Sequence, residues 1–320
     1  MFLITGAAGF IGSVLIRSLN LRGMDNIIAV DMTDDLSNLE KADITSYLDA
    51  SLVLKDDFPW EDIRYVFHMG ACSSTTEMDI EFLRKNNIEY SQHIFKKCTE
   101  YSIPLIYASS AATYGAGENG YSDAHDKISD LKPLNPYGDS KQIFDEWALE
   151  QIETPPEWFG LKFFNVYGPN EYHKGHMMSV VKKAFEQIKE KGSVGLFKSY
   201  QEGFADGGQL RDFIYVKDVA QVMIELSKIQ DSSLSGIYNL GTGKARSFED
   251  LAKAVFKALG KTPSIEYIEM PESLRDQYQY YTQAEMGKLC NTLFDIKFSS
   301  LEEGVDNYVN EHLVKEDRFY

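Results

Sequence analysis

Cysteine is scarce in this sequence, with three residues in 320, and their spacing argues against two classes of protein. Cys72, Cys98 and Cys290 lie far apart, and none belongs to a CxxC motif or has a neighbouring His. Disulfide-held secreted domains and structural zinc sites both use closely spaced cysteines. We therefore expect buried thiols in a reducing cytoplasm, with neither a disulfide nor a metal site.

Long apolar runs are also missing. No stretch approaches the ~20 residues of a membrane span, and Phe2, Leu3 and Ile4 lead directly into a glycine turn where a signal peptide would need more apolar residues. The hydrophobic fraction is nevertheless 43%, so a chain of this length can bury a full core. The composition predicts a soluble, cytoplasmic, globular protein that does not bind membranes.

Basic residues are in the minority, with 32 Lys and Arg against 49 Asp and Glu, which gives a net charge of −17. This balance argues against a broad nucleic-acid or anionic-membrane surface. The sign reverses locally between residues 172 and 185, which hold basic side chains and no acid: His173, Lys174, His176, Lys182 and Lys183. Arg211 follows after a glycine-rich loop. A solvated basic face would explain the run, but it also suits a pocket for a diphosphate substrate.

The N-terminus has the pattern of a dinucleotide-binding loop. An apolar strand is followed by TGAAGFIG at residues 5–12 and then by the helical spacing of Val14, Leu15, Ile16 and Leu19. Glycines at 6, 9 and 12 let the backbone turn tightly beside a pyrophosphate, which binds at the helix N-terminus. A second strand ends in Asp31, which we expect to accept a hydrogen bond from the adenosine ribose.

Strands and helices alternate along the rest of the chain without a repeat. This pattern predicts an α/β protein with a Rossmann-type doubly wound parallel sheet and a smaller, interleaved α/β substrate lobe. We assign residues 1–168 to the dinucleotide-binding domain, completed by about 213–246, and residues 169–212 and 247–320 to the substrate lobe. Ala42, Asp43 and Ile44 read as a short strand end beside the adenine, and His68 as a core histidine.

A helix predicted to start near Pro136 places Tyr137 and Lys141 one turn apart on one face. A phenol titrates near ~10, and a fixed cation beside it favours phenolate, so the pair could act as a catalytic base. Such pairs also arise by chance in a chain with 19 Tyr. The interpretation depends on the glycine-rich loop and on Ser110, which ends a predicted strand.

Seven segments carry a resemblance to a known family: TGAAGFIG (5–12), GACSSTTE (70–77), ASSAATYG (108–115), YGDSK (137–141), FNVYGP (164–169), HKG (173–175) and RDF (211–213). Together they resemble the extended short-chain dehydrogenase/reductase superfamily nearly end to end. Within it the chain is similar to the ADP-L-glycero-D-manno-heptose 6-epimerases. The first, fourth and fifth segments mark only the superfamily, whereas ACSSTTE and the HKG after YGP are specific to the heptose epimerases.

The resemblance implies an isomerase of lipopolysaccharide precursor synthesis. It inverts C6 of the heptose in ADP-D-glycero-D-manno-heptose, with a tightly held nicotinamide taking a hydride and returning it to the other face of a transient ketone. Tyr137 would serve one face, with Lys141 lowering its pKa, and Lys174 the other. Ser110 would hydrogen-bond the reacting oxygen. Ser110 could also cap a strand end, and Lys174 could only bind phosphate.

The resemblance also assigns binding residues. Asn86 and Val166 join the cofactor shell, and the expected cofactor set is Gly6, Gly9, Phe10, Ile11, Gly12, Asp31, Met32, Met69, Gly70, Ala71, Cys72, Ser73, Asn86, Tyr137, Lys141, Val166 and Lys174. The expected ADP-heptose set is Asn165, His176, Lys183, Phe197, Arg211 and Tyr278. The family suggests a homo-oligomer, specifically a pentamer.

Two departures from the family pattern bear on these expectations. The family implies NADP, with a lysine shortly after the second strand to meet the 2′-phosphate. Here Asp31, Asp34 and Asp35 precede any base, and Lys41 is the first, which favours NAD as an alternative. The loop at 199–210 is longer than the family's form.

Other functions remain open from the sequence. A UDP-sugar 4-epimerase would begin with the same hydride abstraction, and a non-catalytic dinucleotide-binding protein could share the fold. A dehydratase should carry acids after Ser110, where this chain has Ala111 and Ala112. Intact Ser110, Tyr137 and Lys141 argue against a protein without catalysis.

Overall fold

The computed structural model describes residues 1–275 and 278–320. The strands are β1 (Phe2–Thr5), β2 (Ile27–Asp31), β3 (Ser46–Asp49), β4 (Tyr65–His68), β5 (Leu105–Ser110), β6 (Trp158–Phe163), β7 (Asn165–Tyr167), β8 (Val194–Phe197), β9 (Leu210–Tyr215), β10 (Gly236–Leu240), β11 (Ala245–Ser247) and β12 (Ile265–Ile268). The helices are α1 (Phe10–Asn20), α2 (Ile80–Leu83), α3 (Tyr90–Glu100), α4 (Pro136–Leu149), α5 (Val180–Lys191), α6 (Val216–Leu226), α7 (Phe248–Ala258), α8 (Glu272–Arg275), α9 (Gly287–Thr292) and α10 (Leu301–Tyr308). A π-helical segment, Arg84–Glu89, joins α2 to α3.

Seven parallel strands form the main sheet in the order β3-β2-β1-β4-β5-β6-β10. The central strands are short runs of apolar residues, because helices cover both faces of such a sheet. Strand order reverses between β1 and β4, and ligands bind at the carboxyl ends of the strands beside such a switch point. The predicted Rossmann-type α/β fold is confirmed.

Two smaller sheets lie outside the main one. β11, β9 and β7 form a three-stranded sheet, and β12 pairs with β8 in parallel. β7, β8 and β9 belong to these smaller sheets, and the next strand, β10, belongs to the main sheet again. The division into a dinucleotide-binding domain and a substrate lobe stays our interpretation of this order.

Local signals predicted several helix starts. Asn135 caps α4 by accepting from the Gly138 N–H at 2.8 Å, with a proline in the first turn. Ser247 and Asp250 form a capping box at the start of α7. His68 is a core histidine as expected, 2.7 Å from Thr5 Oγ1 and 2.9 Å from Ser91 Oγ.

Two local expectations were wrong. Residues 42–44 are not a strand, because pairing with β2 begins only at Ser46. Cys98 is buried, but Cys72 is half-buried and Cys290 is exposed, so burial does not account for all three thiols.

A buried carboxylate joins β5, β6 and α4. Asp145 accepts from Lys162 Nζ at 2.6 Å, from Ser109 Oγ at 2.6 Å and from the Tyr107 hydroxyl at 3.0 Å. The Lys162 ammonium also donates to Thr113 Oγ1 at 2.8 Å, and both charged side chains are 0% exposed. These bonds fix the end of β5 against α4, where the predicted catalytic residues lie.

Within residues 1–275 and 278–320, no helix is both long and apolar enough to cross a membrane. The same residues contain no group of three His, Cys, Asp or Glu side chains arranged to hold a metal ion.

Breaking the buried pair should destabilise the fold. Lys162→Met removes the cation and leaves the Asp145 carboxylate buried, which should lower the free energy of unfolding by about 3–5 kcal/mol. Lys253→Met is the matched control, because Lys253 pairs with Glu249 on the exposed face of α7, where solvent screens the pair. This substitution should lower the free energy of unfolding much less. Denaturant unfolding of both variants measures the difference, and equal losses would contradict the expectation.

Candidate active site

A cavity of about 990 Å³ opens at the carboxyl ends of the central strands. Its wall includes every residue of the predicted catalytic set (Ser110, Tyr137, Lys141 and Lys174) and every residue of the predicted cofactor set. These residues come from eight separate stretches of the chain. The roles themselves stay predictions, but the fold brings the proposed participants to one place.

The glycine-rich loop is held tightly at the base of this cavity. Gly6 has φ +64°, and a Cβ there would lie 2.7 Å from the Gly70 nitrogen, while a Cβ on Gly12 would lie 2.1 Å from the Gly6 oxygen. No side chain caps the N-terminus of α1, so its first N–H groups are free to meet an anion. The loop therefore fits a dinucleotide pyrophosphate.

Asp31 connects this loop to the end of β2. Its carboxylate accepts from the Ala8 N–H at 2.9 Å and from the Met32 N–H at 2.8 Å, and it lines the cavity. Lys41, the first base after it, lies elsewhere: its ammonium is 2.8 Å from Asp317 Oδ2 and donates to the Phe319 carbonyl at 2.6 Å. Lys41 is thus already paired, and the ribose end of the site remains acidic.

Tyr137 and Lys141 share one face of α4 and are 8% and 5% exposed. The Lys141 ammonium donates to the Ala108 carbonyl at 2.9 Å. Burial lowers the pKa of Lys141 to about 8, partly opposed by the nearby Asp145 carboxylate and the Cys72 thiol. Lys141 is therefore anchored to the end of β5 beside the tyrosine.

The pKa expectation for Tyr137 was wrong for this structure. Burial raises the pKa of Tyr137 because desolvation disfavours phenolate, and the hydrogen bond from Ser110 only partly lowers it. Lys141 is not among the groups that lower it. Desolvation is the largest cause of the shift, and the Lys141 ammonium is directed at the Ala108 carbonyl instead.

Ser110 caps the residues that follow its strand, which is one of the two roles considered for it. Its Oγ accepts from the Ala112 N–H at 3.1 Å and so caps the short 3-10 helix Ala111–Tyr114. It also lines the cavity together with Tyr137, and its hydroxyl is close enough to lower the pKa of the phenol. The hydrogen bond from Ser110 to the reacting oxygen stays a prediction.

Lys174 reaches the cavity from the short helical segment Tyr172–Met177, where Gly175 has φ +53°. Its ammonium lies 5.1 Å from the centre of the Phe10 ring, at the start of α1. Burial lowers the pKa of Lys174, Glu171 raises it, and Lys183 lowers it further. A buried amine with a lowered pKa can exchange a proton nearer to neutral pH than an exposed lysine can.

The predicted substrate residues occupy three places. Asn165 lines the cavity. His176 is exposed, and its carbonyl accepts from Lys183 Nζ at 2.7 Å. Phe197, Tyr278 and Arg211 lie together, with 6.2 Å between the two aromatic rings and 5.3 Å from the guanidinium to the Tyr278 ring.

The predicted basic pocket is not one cluster in this structure. Arg211 is buried and donates to the carbonyls of Leu210 and Gln279. Lys182 pairs with Glu186, the acid that follows directly after the basic run. Counting charges in a window of sequence missed these partners, because the neighbouring acid and the backbone carbonyls satisfy the cations.

Sequence reasoning missed Asn87, which is 0% exposed. Its amide donates to the Cys72 carbonyl at 3.0 Å and to Ser140 Oγ at 2.9 Å, and its oxygen accepts from the Cys72 N–H at 2.8 Å. Asn87 therefore fixes the cofactor segment after β4 against α4. The signal was an Asn placed on the apolar face of a predicted helix, where a buried amide needs partners.

Comparisons with known proteins agree with this geometry. The model of the NAD dependent epimerase/dehydratase family matches residues 2–241. An ADP-L-glycero-D-manno-heptose-6-epimerase from Fusobacterium nucleatum is 48% identical, with 100% of each chain covered.

Two solved structures are similar over nearly the whole chain. The ADP-L-glycero-D-manno-heptose-6-epimerase of Helicobacter pylori is 27% identical with a TM-score of 0.77, over 97% of this chain and 95% of that one. The Thermus thermophilus UDP-glucose 4-epimerase complex with NAD is 25% identical with a TM-score of 0.72, over 97% of each. The resemblance to the heptose epimerases is confirmed, and the chain belongs to the NAD dependent epimerase/dehydratase family.

Proposed function

We propose that this chain is an epimerase that inverts C6 of the heptose in ADP-D-glycero-D-manno-heptose, a step of lipopolysaccharide precursor synthesis. One structural observation carries the proposal: Ser110, Tyr137 and Lys141 lie at the wall of one cavity together with a second amine, the half-buried Lys174. Epimerisation needs two proton-transfer groups, because hydride leaves one face of the carbon and returns to the other. The full-length relative's name supports this substrate.

Each residue has a separate role in the proposed reaction. A bound nicotinamide supplies the hydride acceptor and donor. Tyr137 takes the proton of the C6 hydroxyl for one epimer, while Ser110 hydrogen-bonds the same oxygen. Lys174 exchanges the proton for the other epimer. Lys141 orients this end of α4 through its bond to the Ala108 carbonyl.

A UDP-sugar 4-epimerase is the main competing function, since a structural neighbour has that activity in its name. Incubation of the purified protein with ADP-D-glycero-D-manno-heptose, followed by NMR, should give the 6-epimer. UDP-glucose under the same conditions should give no 4-epimer, and the reverse result would favour the competing function.

Dehydration is disfavoured because Ala111 and Ala112 place no carboxyl group after Ser110. A cytoplasmic location and a homo-oligomer, specifically a pentamer, remain part of the proposal.

The reaction should be redox-neutral. Hydride leaves and returns within one site, so turnover should need no added cofactor and tritium at C6 should stay with the product. Scintillation counting of the separated product and absorbance of reduced nicotinamide measure the two effects. Stoichiometric accumulation of reduced nicotinamide during turnover would falsify an epimerase mechanism.

NAD should bind at least as well as NADP, although the family resemblance implies NADP. A 2′-phosphate next to Asp31, Asp34 and Asp35 meets like charge, which is unfavourable. Mass spectrometry of the nucleotide released on denaturation measures the ratio. Lys41→Ala is the control and should leave it unchanged, because Lys41 pairs with Asp317. Release of NADP alone from the unmodified protein would contradict this expectation.

Loss of either proposed base should stop the inversion. Tyr137→Phe and Lys174→Met should each lower the rate of epimerisation on the order of 10² to 10⁴-fold, while each variant can still oxidise the epimer whose base remains. If Lys174 only binds phosphate, KM should rise with kcat nearly unchanged. Steady-state kinetics separate the two roles. Lys189→Met, on the exposed face of α5, should behave as the unmodified protein.

A further inference from the structure

The segment that carries Lys174 begins at two fully buried polar residues. We call residues 172–178 the Lys174 loop; Asn170 and Glu171 precede it and are both 0% exposed. Asn170 has φ +72°, a conformation that is uncommon for a residue other than glycine. Such backbone strain persists where the surroundings fix it, and it concentrates at functional sites. The contacts of these two residues therefore decide where Lys174 lies.

Glu171 joins the two ends of the Lys174 loop. Its carboxylate accepts from Ser179 Oγ at 2.6 Å and from the Ser179 N–H, at the N-terminus of α5. Backbone bonds also hold each end of the loop, from Lys174 N–H to the Glu171 carbonyl at 3.1 Å and from Met178 N–H to the Gly175 carbonyl at 3.2 Å. The loop is thus closed at its base, and its orientation toward the cofactor site depends on contacts with other segments.

Asn38 supplies contacts of this kind from the other side of the cofactor site. Its side-chain amide, 8% exposed, donates to the Ala8 carbonyl at 2.9 Å and to the Asn170 carbonyl at 3.1 Å. It also lies 3.1 Å from His173 Nδ1, beside Lys174. Ala8 belongs to the glycine-rich loop, and its own N–H is held by Asp31.

A second hydrogen bond links the base of the Lys174 loop to the start of α1. The Asn170 amide donates to Ser13 Oγ on α1 at 3.0 Å. Both bonds connect the base of the Lys174 loop to the segments that would hold the dinucleotide. The position of the amine is therefore coupled to that of the glycine-rich loop.

We propose that Asn38 is a positioning residue that fixes the Lys174 loop relative to the glycine-rich loop, so that Lys174 reaches C6 of the substrate. The inference rests on the proposed function, in which Lys174 exchanges a proton. Asn38 itself does not touch the reacting atoms. Loss of the Asn38 side chain removes the two hydrogen bonds that link the Ala8 carbonyl to the Asn170 carbonyl. A displacement of about 1 Å at a reacting group can cost about 10²-fold in rate.

The test uses the two half-reactions, because only one of them depends on Lys174. Asn38→Leu is combined with Tyr137→Phe and, separately, with Lys174→Met. Each protein is mixed with the single epimer that its parent variant still oxidises, and reduced nicotinamide is followed by absorbance. In the Tyr137→Phe background, Asn38→Leu should slow oxidation about 10- to 100-fold. In the Lys174→Met background the rate should stay within about threefold, since groups without shared contacts act independently.

Asn20→Leu is the matched control. Asn20 is the last residue of α1, and its side-chain amide also donates to backbone carbonyls, those of Asp43 at 2.8 Å and Met24 at 3.4 Å. These hydrogen bonds do not involve the Lys174 loop. It should change neither half-reaction. If Asn38→Leu lowers dinucleotide content, Asn38→Ser, which keeps one donor, permits the same comparison.

Two results would overturn the inference. Equal slowing in both backgrounds would mean that Asn38 only supports cofactor binding, and no slowing in either would mean that the loop keeps its position without it. A separate result would remove the proposed function: complete inversion by Lys174→Met itself. That outcome is measured before Asn38 is changed, so the two failures are distinguishable.

Discussion

A single buried carboxylate holds the centre of this site together. Asp145 accepts from Lys162, Ser109 and Tyr107, and so joins two strands of the main sheet to the helix that carries Tyr137 and Lys141. Burying such a charge costs free energy, and the cost is offset only because a cation and two hydroxyls satisfy it. The consequence is positional: Ser110, at the end of β5, and Tyr137, on α4, line the same cavity.

The site is assembled from two sides, and the two sides are held differently. Tyr137, Lys141 and Ser110 belong to regular elements whose ends are fixed by the sheet and by the Asn135 cap. Lys174 belongs to a short loop whose base is fixed by buried polar contacts with Glu171, Asn170 and Asn38. Asn38 makes its contact with Asn170 across 132 residues of chain.

Desolvation is the electrostatic term that the protein itself imposes on both proposed bases. It raises the pKa of Tyr137 and lowers the pKa of Lys174, because in each case the neutral form is favoured. Neighbouring charges change these two pKa values less than desolvation does.

Features that depend on neighbours along the chain were predictable from the order of the residues. The glycine-rich loop, the capped start of α4, the Tyr137 and Lys141 spacing and the alternation of strands and helices all follow from local geometry, and the family motifs added the expected chemistry. The remaining contacts became visible in the folded chain alone. Lys41 pairs with Asp317, Arg211 with the Gln279 carbonyl, and Asn38 with Asn170, each across more than 60 residues of chain. No local pattern encodes such partners, because they depend on which segments the fold brings together.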